Sequence, residues 1–215
     1  MHSTRLFEDR ADATQALARQ LAAYRGCRPL VLAIPRGAVP MAQGIAQALQ
    51  GEIDVVLVRK LGAPFSAEFA VGAVDESGQI YRSPHAAQAG ATDAYIAQEA
   101  ARQLAVLRRR RERYTPLRPP LDPAGRTVIV VDDGLATGAT MIAALHAVRA
   151  RQPARLICAV PVAAPDSLAK VAGLADEVVC LHAPPDFAAV GQFYARFDQV
   201  EDDEVAAILA KAGKS

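Results

Sequence analysis

Tryptophan is absent from this chain of 215 residues, and aromatic side chains make up only 5% of it, so any local concentration of rings stands out. Cysteine is scarce: Cys27, Cys158 and Cys180 are scattered and odd in number. With no CxxC or Cys/His spacing, the sequence offers neither a disulfide framework nor a zinc site. Cys158 and Cys180 fall in predicted strands and read as small core residues. An excess of charge is missing too. A formal net charge of +1 argues against nucleic acid or another polyanion as a partner. No apolar run is long enough to span a membrane, and the stretch Met1–Ala13 carries no apolar leader segment. The simple reading is a cytoplasmic protein with no membrane attachment. Neither GxxxxGK[ST] nor GxGxxG occurs, which disfavours Walker-type and dinucleotide-binding loops. No internal repeat, low-complexity segment or helix-turn-helix segment is evident.

What is present is a large apolar fraction, 52%, enough for a sizeable core. Asp12–Tyr24 places Leu17, Leu21 and Tyr24 on one face, with Asp12 and Gln15 as a capping pair, and predicts a helix. Leu30–Ile34 predicts a buried strand. Val39–Leu49 predicts a helix with Pro40 in its first turn, and Ile53–Val58 a second strand ending in Arg59 and Lys60. Together they make a βαβ unit with a right-handed crossover. Leu61–Phe69 (LGAPFSAEF) predicts a loop with room to move. Phe69–Val74 and Gln79–Tyr81 predict short strands joined through the turn Asp75–Gly78.

Thr92–Tyr114 predicts a long helix capped by Thr92, with Ile96, Ala100, Leu104 and Leu107 buried and the run Arg108–Arg113 solvated. The proline-rich TPLRPPLDPAG is a stiff connector. The βαβ rhythm resumes with strand Val128–Val131, helix Met141–Ala150, strands Leu156–Val160 and Glu177–Leu181 around a helix near Asp166–Ala172, and a last helix Asp202–Ala212. The expected fold class is α/β, an open doubly wound parallel sheet of about five strands. A single domain over 1–215 is expected, with its core at 30–60 and 125–182. An inserted hairpin and helix lobe would occupy 61–120, and a C-terminal hood and helix 183–212.

The most informative segment is Val128–Thr140, VIVVDDGLATGAT. A buried strand delivers Asp132 and Asp133 to one end of the sheet, where α/β proteins bind ligands. Gly134 and Gly138 with small Ala136 and Ala139 then let a ligand approach the backbone, Thr137 and Thr140 add hydroxyls, and a helix N-terminus follows. Hydrogen bonds to a charged group are worth roughly 1.5–3 kcal/mol each, so several amides could hold a phosphate without a lysine. A carboxylate beside them can accept from vicinal sugar hydroxyls. Adjacent strand residues face opposite ways, so only one aspartate faces the sugar directly unless the chain bends. A second loop, Pro35-Arg36-Gly37-Ala38, offers a close backbone approach, a charge and a helix start. Arg59 and Lys60 would suit a diphosphate, or its Mg²⁺ complex.

On these residues the chain resembles the type I phosphoribosyltransferases, whose binding motif for phosphoribosyl diphosphate (PRPP) is a hydrophobic strand, two acids and a Gly/Thr-rich loop. More narrowly it is similar to a bacterial subgroup carrying IPRG, VRKLGAP, GAV and VDDGLATGAT together. The resemblance implies that Ala136, Thr137, Gly138, Ala139 and Thr140 hold the 5-phosphate. Asp132 and Asp133, the implied catalytic pair, would manage the ribose hydroxyls directly or through Mg²⁺. Arg36, Gly37 and Ala38 would take pyrophosphate, with Arg59 and Lys60 near it. It also implies a cis peptide between Pro35 and Arg36, and Mg²⁺ as cofactor, held mainly by PRPP with no direct protein ligand set. The implied reaction moves phosphoribosyl from PRPP to a small-molecule nucleophile, a nitrogenous base in most members, releasing pyrophosphate. The flap segment Leu61–Phe69 departs from members whose flap carries a catalytic lysine, since it contains no Lys or Arg.

Pro184–Gln199 loosely resembles the region that stacks a base in purine-salvage members, which makes Phe187 the candidate acceptor contact. Phe193, Tyr194 and Phe197 read as hydrophobic packing. His85, His146 and His182 lack ligand spacing, and Asp75–Glu76 reads as a turn. The alternative function is a PRPP-sensing regulatory protein without transfer. A phosphohydrolase or phosphosugar-binding module using the same cradle is a third reading, but the aspartate pair with IPRGA and VRK favours a diphosphorylated ribose over a simple monophosphate. Family habit suggests a homodimer, and the sequence does not identify the acceptor.

Overall fold

The chain was analysed as a computed structural model, which describes residues 5–116 and 118–212, the side chains at 67 and 68 excepted. The first four residues of the N-terminal stretch and Leu117 of the proline-rich connector lie outside the described residues. Five parallel strands form the main sheet: β1 (Leu30–Ala33), β2 (Glu52–Val55), β6 (Thr127–Val131), β7 (Arg155–Val162) and β8 (Glu177–His182), in the order β2-β1-β6-β7-β8. The expected α/β class and strand number hold. Helices cover both faces, so strands are apolar on both sides. Along β6, Ile129 and Val131 enter one core with Leu17, Met41 and Ile45, while Val128 and Val130 enter the other with Met141, Leu145 and Leu156. From β1 the chain runs through α2 (Val39–Leu49) to β2 on one side, and it returns later to β6 on the other. The carboxyl ends of β1 and β6 therefore flank the topological switch point, where open α/β sheets bind ligands.

The second sheet corrects the sequence reading. The expected second strand, Ile53–Val58, stops at Val55, and Leu61–Phe69 is not a loop. Instead β3 (Val58–Ala63), β4 (Ser66–Asp75) and β5 (Ile80–Arg82) form an antiparallel sheet. Gly62 and Pro64 look like loop punctuation. In the structure Gly62 sits where the register of the β3–β4 pair slips, and Pro64-Phe65 makes the turn. Such bulges let a strand pass through a residue that breaks its alternation. Arg59 and Lys60 thus lie within β3, opposite Val74 and Ala73, rather than at the end of β2. The hairpin through Asp75–Gly78 forms as expected.

The N-terminal helix α1 runs Arg10–Gln20, earlier than expected. Its cap is Asp9, which accepts from the amides of Ala11 (2.9 Å) and Asp12 (3.1 Å), while Asp12 accepts from Glu8 N–H (3.2 Å) and not from a pair with Gln15. The long helix α3 (Asp93–Tyr114) is capped by Thr92, as its sequence predicts. Its arginine run is not wholly solvated. Arg111 is buried and donates through Nη1 to Asp54 Oδ1 (2.8 Å) and through Nε and Nη2 to Glu76 (2.6 and 2.5 Å). Asp54, 1% exposed, also accepts from Arg118 (3.0 Å) and from the amides of Val55 (2.8 Å) and Leu121 (2.9 Å). Burial works against the Arg111 charge, but Glu76 and Asp54 outweigh it and raise its pKa. This network joins β2, the Asp75–Gly78 turn, α3 and the connector.

Candidate functional site at the switch point

Strand alternation continues past β6 and sends the two aspartates to different sides. Asp133 meets α1 and the loop after β1. Its Oδ2 accepts from Arg10 Nε (3.0 Å) and Nη2 (2.8 Å), and its carbonyl accepts from Tyr194 O–H (2.7 Å). Asp132 faces the Cys158 side, where its charge helps push the buried thiol up to about 12, after burial itself. Among the described residues its Oδ1 accepts only the neighbouring amide of Asp133 (2.9 Å). Burial first, and then the Asp133 charge, hold the Asp132 carboxyl well above the usual carboxylate range.

The following turn is exposed at Ala136, Thr137 and Thr140 and fixed on its other side. Leu135 pairs with the end of β7: its N–H reaches Val162 (2.9 Å), and Ala164 N–H reaches its carbonyl (2.9 Å). Ser167, buried in helix α5 (Pro165–Val171), donates to the Ala136 carbonyl (2.8 Å). Gly138 has φ +76° and caps helix α4 (Ala139–Ala150), a backbone state that favours glycine. No acceptor among the described residues takes the amide hydrogens of Ala136, Thr137, Gly138 or Thr140. A cluster of unpaired N–H groups at a helix N-terminus is an anion cradle.

Across the switch point, the peptide joining Pro35 to Arg36 is cis, as the resemblance implies. Gly37 has no room for a side chain, since a Cβ there would lie 2.1 Å from Asp133 Oδ2. Glycine is therefore required by packing against the acid. Ala38 is fully buried, and Arg36 Nη1 pairs with the exposed Glu201 (3.1 Å). Arg59 and Lys60 belong to β3 of the second sheet. Val190 lies against the turn: a Cβ on Gly134 would meet it at 2.7 Å. Phe187 is half-buried and tilted against Phe193, with ring centroids 5.1 Å apart.

Arg10, Tyr194 and Ser167 are residues the sequence reading missed. Arg10 lies 123 positions from its partner, and no local spacing links the two. Among the described residues no group of three or more His, Cys, Asp and Glu could hold a metal ion. The adjacent carboxylates of Asp132 and Asp133 fit Mg²⁺ only in the way that ion is bound by one or two carboxylates plus substrate phosphates.

The family model described as "Phosphoribosyl transferase domain" matches residues 3–198. The chain belongs to the phosphoribosyl transferase family. It is 45% identical over 214 residues to a Mycobacterium tuberculosis protein provisionally named as a phosphoribosyl transferase, found in two strains. That match covers 97% of this chain but 47% of the relative, so the chain spans about half the length of the curated relatives it matches. The crystal structure of TT1426 from Thermus thermophilus superposes with a TM-score of 0.88 at 48% identity, covering 95% of this chain and 98% of that one. The phosphoribosyl transferase fold accounts for the main sheet. No described helix is long and apolar enough to cross a membrane.

Proposed function

We propose that this chain transfers 5-phosphoribosyl from PRPP to a small-molecule nucleophile, most simply a ring nitrogen of a base, and releases pyrophosphate. The observation that carries this reading is the open amide cradle at 136–140, set beside two carboxylates and opposite the Arg36–Ala38 loop. In it the amides of Ala136, Thr137, Gly138, Ala139 and Thr140 hold the 5-phosphate. Asp132 and Asp133 manage the ribose hydroxyls, one of them directly and the other through Mg²⁺ or its waters. Arg36, Gly37 and Ala38 receive the diphosphate, with Arg59 and Lys60 reaching it from β3. Phe187 borders the acceptor.

Substitution at the anomeric carbon builds negative charge on the departing diphosphate and positive charge on the ribose ring. The chain's own contribution is alignment, exclusion of water and fixed dipoles at the phosphate. Bound Mg²⁺ would neutralise charge on the diphosphate, and Asp132 and Asp133 would contact it or its waters.

The test is pyrophosphate release from PRPP and Mg²⁺ across a panel of purines, pyrimidines and small amines. Release is expected with at least one acceptor. The double variant Asp132→Asn/Asp133→Asn should abolish it while keeping the wild-type circular dichroism. Clear PRPP binding without release for any acceptor would favour the sensor reading instead. Unchanged turnover in the double variant would refute the assigned acids.

A further inference from the structure

The Asp133 carboxylate is held by a residue from the far end of the chain. Arg10, in the first turn of α1, places two N–H groups on one oxygen, Oδ2, and leaves Oδ1 outside the pair. Its third anchor is the Asp198 carbonyl, reached by Nη1 at 2.6 Å. Phe197 supplies a face, with the guanidinium carbon 3.9 Å from the ring centroid. Both partners are largely removed from water, with side chains 14% and 16% exposed, where a charged pair is stronger than at the surface. A Cβ on Gly37 would meet Asp133 Oδ2 and, at 3.0 Å, Arg10 Nη2, so the pair fills the space behind the loop after β1.

Arg10 is not needed to tether the N-terminal segment. Backbone bonds already join Leu6 and Phe7 to Phe193, Ala195 to Phe7 and Arg196 to Glu8, and Arg196 pairs with Glu8 and Asp9. What Arg10 adds is a fixed orientation for one acid. It also links that acid to the segment around Phe197 and Asp198, next to the hood.

We infer that Arg10 is a positioning residue, which holds the Asp133 carboxylate in the orientation that receives the ribose hydroxyls of PRPP and couples it to the 197–198 segment. This rests on the phosphoribosyl reading. Outer partners that orient a ligating group typically contribute about 10–100-fold to affinity or activity.

The experiment is calorimetric titration of PRPP with Mg²⁺ into four proteins: wild type, Arg10→Met, Asp133→Asn and the double variant. Arg10→Lys and thermal melts accompany them. Wild type must bind PRPP; if it does not, the phosphoribosyl reading itself fails. Given binding, Arg10→Met should weaken it about 10–100-fold, and Arg10→Lys should recover part of that loss. In the Asp133→Asn background, removing Arg10 should cost little more. A lowered melting temperature with unchanged PRPP affinity would overturn the inference and leave Arg10 a structural tether. Tighter binding in Arg10→Met would also overturn it, because Arg10 would then be competing with the ligand. Additive losses in the double variant would separate Arg10 from Asp133 and overturn it equally. Arg10→Lys, which keeps the charge, secures the comparison should Arg10→Met fail to fold.

Discussion

Replacing Arg111 by methionine removes the hub that joins Asp54 to Glu76. Removing one partner of a buried ion pair costs about 3–5 kcal/mol. Asp54 would keep Arg118 and two amides. Glu76 would lose both of its bonds from Arg111, but its side chain is 20% exposed and can take up water. The expected cost is therefore at the lower end, about 3 kcal/mol. For a chain of this size each kcal/mol moves the melting temperature by about 2–4 °C, giving a fall of roughly 6–12 °C. The control is Arg113→Met, two residues along the same helix, whose pairs with Asp202 and Asp203 are exposed and should hardly matter. Urea unfolding and thermal melts followed by circular dichroism at pH 7 would read both. Equal stability of the two variants would refute the buried-network account.

Other substitutions test the site. Asp132 holds its proton more tightly in the folded chain than in the unfolded one, so its contribution favours folding at low pH and is lost as pH rises above the usual carboxylate range. Asp132→Asn should melt at or above wild type at pH 7, with the gap closing toward pH 4, while PRPP turnover disappears; a lower melting point at pH 7 would contradict this. Gly37→Ala places a Cβ 2.1 Å from Asp133 Oδ2 and should give a folded protein that binds PRPP at least about tenfold more weakly, as misplacement of a site group does; wild-type affinity by calorimetry would contradict it. His146 stacks on Tyr81 with ring centroids 3.8 Å apart, and burial lowers its pKa. Its contribution is present above about pH 6.5 and fades as pH falls. His146→Phe should therefore flatten the loss of stability between pH 8 and pH 5, and an unchanged slope would show that another group titrates.

The main sheet was legible because its strands are buried on both faces. Leu30–Ala33 and Val128–Val131 are continuous apolar runs, and turn residues bound them. The candidate site was legible where one short segment carries it, as in Val128–Thr140 and Pro35–Ala38. The second sheet was not, because β3 runs through a register slip at Gly62 and turns at Pro64; composition alone reads such a segment as loop. Arg111 was missed because a run of arginines looks solvated unless its buried partners, distant in sequence, are known. Arg10 and Tyr194 reach Asp133 only after the chain's two ends are brought together through Phe7 and Phe193.

The central claim is that main-chain amides between Ala136 and Thr140, without a lysine, grip the 5-phosphate of PRPP beside Asp132 and Asp133. A crystal structure of the protein grown with PRPP and Mg²⁺ tests it directly. The account predicts phosphate oxygens within hydrogen-bond distance of those amides and ribose hydroxyls on the carboxylates. PRPP bound elsewhere, with that turn empty, would contradict it.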